Sequence, residues 1–216
     1  MKLIEKVINS EIRKRLFNAI LFGIGGAIIS KAFLMFFNII VSRMLGEAQY
    51  GIYSIINNTV QTFTVFAGAG IGVTLTRYVA LYREKDKTIA GIIINTLLIF
   101  NVILSIIISI FVFVFANNIS NLISETVNIT IYIRITSATI FFTSITLILQ
   151  SILQGFEEYK KIAIAQIISN IIMLLIGIVI TKHYSIMGTI ISLLILQVVS
   201  TIFFGRNIIK SSFSKE

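Results

Sequence analysis

Cysteine and proline are absent from this 216-residue sequence, histidine occurs once, and only 12% of the residues are charged. The lack of cysteine excludes a disulfide framework, a thiolate metal site and a cysteine nucleophile. His183 stands beside Lys182 at the end of an apolar run, where an interfacial residue is a better reading than a metal ligand. Without proline, a break in any helix has to come from glycine, as at Gly23, Gly25 and Gly26. Acids are scarce too, nine in all, and each lies between apolar runs or in a tail. Glu84, Asp86, Glu157 and Glu158 are mixed with lysines there and read as solvated loop charges. No carboxylate pair, HExxH, P-loop or nucleophile–His arrangement occurs. An intramembrane enzyme would need such acid–base or metal groups, so neither catalysis nor a cofactor or metal is expected.

What the sequence has in abundance is apolar surface: 56% of it is hydrophobic, and its mean hydropathy is +0.97. Soluble domains carry about 25% charged residues, so this chain has too little polar surface to dissolve as a globule. A bilayer core takes roughly 20 consecutive apolar residues per helix, and backbone groups there must be paired internally, in helices or in a closed barrel. A barrel would show alternating segments of about ten residues; here the runs are long and unbroken, as in 89–116. The expected fold is all-α, a polytopic membrane bundle of about six helices near 17–44, 52–77, 89–115, 128–153, 162–181 and 186–205. The run from Leu16 to Met44 is too long for a signal-peptide core, so it reads as a retained first span.

The net charge of +9 sits between the runs, which argues for membrane orientation rather than nucleic-acid binding. With the amino terminus inside, fourteen lysines and arginines fall on the cytoplasmic side, against only Arg43 and Lys182 outside. The expectation is a topology with both ends in the cytoplasm: a basic segment 1–15, a six-helix lobe 16–206 and a tail 207–216. Segment 1–15 reads either as an amphipathic helix on anionic lipid or as a solvated basic tail.

Two cations fall inside spans, Lys31 in the first and Arg134 in the fourth. A charge at helix centre costs about 2.5–3.5 kcal/mol on insertion scales, so such residues usually face a bundle interior or a watery cavity. No span contains an acid to pair with them, which makes them candidate anion-binding groups. The alternative for each is a reach to the headgroups. Helical spacing puts Ala27, Lys31, Met35, Asn38 and Ser42 on one face of the first span. Asn57, Gln61, Thr64, Gly68 and Gly72 form a stripe on the second. Similar stripes run through Asn101, Ser105 and Ser109, through Thr130, Arg134, Ser137 and Ser144, and through Gln166, Asn170, Met173 and Gly177. They suggest either a hydrated cavity or interhelical hydrogen bonding and small-residue packing. Gly68-Ala69-Gly70-Ile71-Gly72 lacks the spacing and the strand of a dinucleotide loop and reads as close helix packing.

Three stretches carry a resemblance. Arg43-Met44-Leu45-Gly46 through Tyr50-Gly51-Ile52-Tyr53 resembles the loop after the first helix of polysaccharide flippases. Gly68 through Gly72 with Thr76-Arg77-Tyr78 resembles the end of their second helix, and Leu153-Gln154-Gly155 resembles the turn between their fourth and fifth. Order and placement agree with the polysaccharide and O-antigen (Wzx-like) flippases of the multidrug/oligosaccharidyl-lipid/polysaccharide exporter superfamily. The resemblance implies export of an undecaprenyl-pyrophosphate-linked oligosaccharide across the cytoplasmic (inner) membrane, for surface polysaccharide such as lipopolysaccharide O-antigen. It implies two facing six-helix lobes around a cavity, of which this chain resembles the amino-terminal one. A second lobe would then come from a homodimer or a separate chain, or the product is a truncated one. The residues expected to meet the substrate are Lys31, Arg134, Asn38, Asn57, Gln61 and Arg77, with Arg77 either helping the diphosphate enter or anchoring its helix. Other readings are drug or small-cation export, which would favour intramembrane acids, and a non-transporting remnant or assembly partner.

Overall fold

Two helices far too long for a single membrane crossing dominate the computed structural model, which describes residues 19–68, 70–123 and 128–213. A short π-helical segment, Ala19–Ile24, runs into α1 (Gly25–Gly68). There follow α2 (Ile71–Tyr82), α3 (Lys87–Val114), α4 (Ala116–Ile123), α5 (Thr130–Gly155) and α6 (Tyr159–Phe213). No strand occurs among the described residues. The basic segment expected over 1–15 lies outside them.

Four helical stretches are long and apolar enough to cross a membrane: Ile20–Gly68, Lys87–Val114, Thr130–Gly155 and Tyr159–Ile209. The first and last contain 49 and 51 residues. At 1.5 Å per residue each would reach about 75 Å if straight, over twice the roughly 30 Å hydrocarbon core. Each is instead interrupted by one residue with non-helical backbone, Gly46 in α1 and Ser185 in α6. Gly46 has φ 72° and ψ 174°, a conformation open essentially to glycine alone.

The chain reverses at the Ser185 break. Thr181 and Thr189 share a hydroxyl contact of 3.1 Å across it, and a Cβ on Gly177 would meet Ser192. At the Gly46 break, Phe37 and Val41 from one side join Tyr53 and Ile56 from the other in a single buried cluster. The two long helices therefore supply four spans, 25–45, 47–68, 159–184 and 186–213, close to the hydropathy-based boundaries. The second expected span, 52–77, is interrupted at Gly70 (φ 74°), where α1 gives way to α2. The glycine-rich stretch is thus both a break and a packing site, since Gly72 lies against Ser151.

Contacts set the helix directions. Gly26, Ser30 and Phe37 meet Ala163, Asn170 and Gly177 in turn, so 25–45 and 159–184 run parallel. Asn101 and Ser109 meet Ser144 and Ser137, so α3 and α5 are antiparallel. Tyr132 and Ile135 pack on the cluster holding Ile186 and Ile190, Thr146 meets Thr201, and Leu153 joins Phe204, so α5 and 186–213 are parallel. One end of the bundle accordingly holds the turns near 83–87 and 156–158, and the other holds Gly46, α4 and Ser185. The helix that begins at 186 continues to Phe213, past the point where a polar tail was expected.

The interior contains many hydroxyls. Thr136, Ser137, Thr139, Thr143, Ser144, Thr146 and Ser151 of α5 are all buried. Most bond to carbonyls three or four residues back or across to a neighbouring helix, the ordinary adhesive of membrane bundles. Isoleucine, leucine and phenylalanine side chains instead cover much of the outside, as on α3 at Ile103, Ile107, Ile110 and Phe113.

Candidate functional site

The face of α1 read from helical spacing forms one wall of a cleft. Lys31, Asn38 and Ser42 line it with Leu34, Met35 and Ile39, and Tyr50 closes it from beyond the Gly46 bend. It is a shallow, widely open cleft of about 430 Å³. Lys31 is exposed, and among the described residues no carboxylate lies within ion-pair distance of it. An ammonium, a carboxamide and a phenol in an apolar wall form a suitable donor set for an anionic, hydroxyl-bearing ligand, while the Ser42 hydroxyl donates to the Ile39 carbonyl (2.9 Å). No group of three or more His, Asp or Glu side chains that could hold a metal occurs among the described residues.

The other expected site residues are spread more widely. Arg134 is exposed on α5, its guanidinium 5.8 Å from the centre of the Phe113 ring on α3, and it does not line the Lys31 cleft. Asn57 is half-buried and Gln61 exposed on the second limb of α1, and both lie outside the cleft lining. Arg77 is exposed on α2, about one and a half turns before its end. Several polar residues of the stripes make hydrogen bonds within the bundle. Asn101 is buried and donates to the Ala67 carbonyl (3.3 Å) and to Ser144 (3.1 Å). Asn170 bonds to Ser30, and Gln166 to Gln150. Thr64, expected on the second stripe, is buried and bonds back to the Val60 carbonyl.

A second cleft, also about 430 Å³, opens beside the start of α1, the end of α5 and the start of α6. Gln150, Gln154, Gln166 and Tyr159 supply its polar groups. The spacing of Gln150 and Gln154 puts them on one helical face, a signal present in the sequence. What joins them to Gln166 is the convergence of three helices distant in the chain.

The charges at the turns are also more ordered than loop charges would be. Arg83 is only 14% exposed, donates to the Gly155 carbonyl (3.1 Å) and pairs with Glu157 at 2.6 Å. Glu157 occupies the left-handed region (φ 59°). The Glu158 amide returns to the Leu153 carbonyl and the Glu157 amide to that of Gln154, both at 2.9 Å. This is a Schellman ending of α5 with glutamate where glycine is usual. Asp86 caps α3 by accepting from the Thr88 and Ile89 amides, and Glu158 pairs with Lys161 at 3.0 Å. Glu84 also approaches Arg83 at 3.8 Å, so all four acids read as solvated have partners.

Comparison with solved structures places this architecture. The chain is similar to a multidrug resistance MATE family transporter of the MOP superfamily in its outward-facing conformation, with a TM-score of 0.68 and 16% identity. The similarity covers 89% of this chain and 44% of that one, so this chain spans less than half of the transporter's length. At that identity the likeness concerns the fold: a helical lobe of the transporter type. Among proteins with curated descriptions, none matches. A family profile described as polysaccharide biosynthesis protein matches residues 17–214, nearly the whole sequence. The chain is a multi-pass membrane protein that belongs to the polysaccharide biosynthesis protein family.

Proposed function

We propose that this chain is one lobe of an exporter that flips a lipid-linked oligosaccharide, of the undecaprenyl-pyrophosphate type, across the cytoplasmic membrane without itself catalysing a reaction. The observation that carries the reading is an unpaired lysine in a cleft on α1 of a chain that matches the polysaccharide family from residue 17 to 214. A diphosphate needs cationic and hydroxyl donors at a depth where water is scarce, and Lys31 with Asn38 and Tyr50 supplies them. Export of small cations would instead call for an intramembrane carboxylate, and none of the nine acids lies in the middle of a span. The opposite wall of the transport path would come from a second lobe, as a second copy or a separate chain, because alternating access rocks one repeat against another.

The test is to replace the chromosomal codon for Lys31 and measure surface polysaccharide. Lys31→Ala should lower display at least tenfold, the size expected for losing one charge-assisted hydrogen bond. Lys31→Arg should keep most of it, and membrane levels of the protein should not change. Full display in Lys31→Ala would overturn the anionic-cleft reading.

A further inference from the structure

The glutamine-lined cleft has no role in the reading above. Gln166 donates to Gln150 at 3.2 Å, which leaves each amide with further capacity. The Gln154 carboxamide has no hydrogen-bond partner among the described residues. Tyr159 adds a phenol and an aromatic face, and Phe22 adds a second ring with the Lys160 ammonium 5.9 Å above it. No formally charged group lines the cleft itself. That composition disfavours a bare anion, which would need cations, and a metal, which would need carboxylates. Carboxamides that both donate and accept, sharing a cleft with two aromatic rings, suit the hydroxyls and the apolar face of a pyranose.

Two further observations point the same way. The segment bordering the cleft is the π-helical Ala19–Ile24, and such distortions are frequent at functional sites. Ala27, in the wall of this cleft, lies one turn before Lys31, in the wall of the other. The helical rise between them is about 6 Å, close to the step from a sugar ring to the phosphate that carries it.

We propose that this cleft binds a sugar ring in the headgroup of a glycolipid, beside the phosphate-binding position at Lys31. The site rests on the export reading only for the identity of the glycolipid, and its test involves no transport. The full chain in glycolipid-free nanodiscs is labelled with a photoreactive alkyl β-glucoside, and the labelled peptides are mapped by mass spectrometry. Saturable labelling of 20–27 and 159–166, competed by octyl glucoside, is the expected result. Gln154→Leu should reduce it about tenfold, whereas Lys31→Ala should leave it in place even if display is lost. Gln154→Asn, which keeps the amide, serves where Gln154→Leu fails to fold and should show an intermediate loss. Equal competition by octyl phosphocholine would overturn the sugar assignment. Free maltose competing as well as octyl glucoside would overturn the glycolipid assignment. Labelling that is unsaturable or indifferent to both Gln154 variants would overturn the site.

Discussion

At the scale of single residues, the most informative side chain is one that composition hides. Glu157 adopts a left-handed backbone, which costs a non-glycine residue roughly 1–2 kcal/mol, and the Arg83 pair offsets that cost. Arg83→Met should lower stability by about 1–3 kcal/mol, the worth of charged hydrogen bonds, read as a fall in the thermal unfolding midpoint in detergent. Glu157→Gly should then be stabilising in the Arg83→Met background, where only the strain is left to relieve, and destabilising or neutral in the parent. A double-mutant cycle reads the difference, and additivity of the two changes would sink the account. The sequence could not announce this pair, because a lysine-rich loop containing Glu157 looks the same whether its acid is solvated or clamped. Lys31 was legible for the opposite reason: a charge inside an apolar run stands out, and helical spacing put Asn38 and Ser42 beside it. Tyr50 was not, since its place in the cleft depends on the bend at Gly46.

At the scale of elements, the two reversals make a matched pair with opposite expected signs. Gly46 uses a conformation that a Cβ disfavours, so Gly46→Ala should destabilise by about 1–3 kcal/mol. Ser185 carries a Cβ at φ 50° and ψ −130°, close to the first central position of a type II′ turn, where glycine is at home. Ser185→Gly should therefore raise the unfolding midpoint, by about 1 kcal/mol in stability. A loss of stability there would mean that the Ser185 side chain holds the turn. The same pair shows how far hydropathy carries. Span ends near 44 and 181 were visible because Arg43 and Lys182 interrupt the apolar runs. Glycine marked the first break, but nothing in a serine marked the second. The short helix α4 was missed because eight residues between two spans leave too little pattern to read. Close packing adds a further expectation. A Cβ on Gly155 would come within 2.6 Å of Val79 and 3.1 Å of the Thr76 carbonyl. Gly155→Val should thus separate α2 from α5 and reduce the amount of folded protein in the membrane, measured by resistance to limited proteolysis.

For the whole molecule, the alternation of helix directions gives the two ends different charge. Among the described residues, the end with the 83–87 and 156–158 turns carries Arg77, Arg83, Lys85, Lys87, Lys160, Lys161 and Arg206, and the other carries Arg43 and Lys182, with Arg134 in the first turns of α5. By the positive-inside bias the first end is expected to face the cytoplasm. On the proposed reading, the glutamine-lined cleft would then open at the level where a glycolipid made in the cytoplasm first arrives, with Lys31 one turn deeper. The absence of cysteine from the whole sequence makes this directly measurable, because any introduced thiol is the only one present. Gln49→Cys and Lys85→Cys lie at exposed positions at opposite ends. In intact cells a membrane-impermeant maleimide should label Gln49→Cys and should reach Lys85→Cys only after the membrane is permeabilised. The reverse pattern would invert the expected orientation and move the proposed sugar cleft to the opposite face, so the order of sugar and phosphate proposed along α1 would have to be reversed with it.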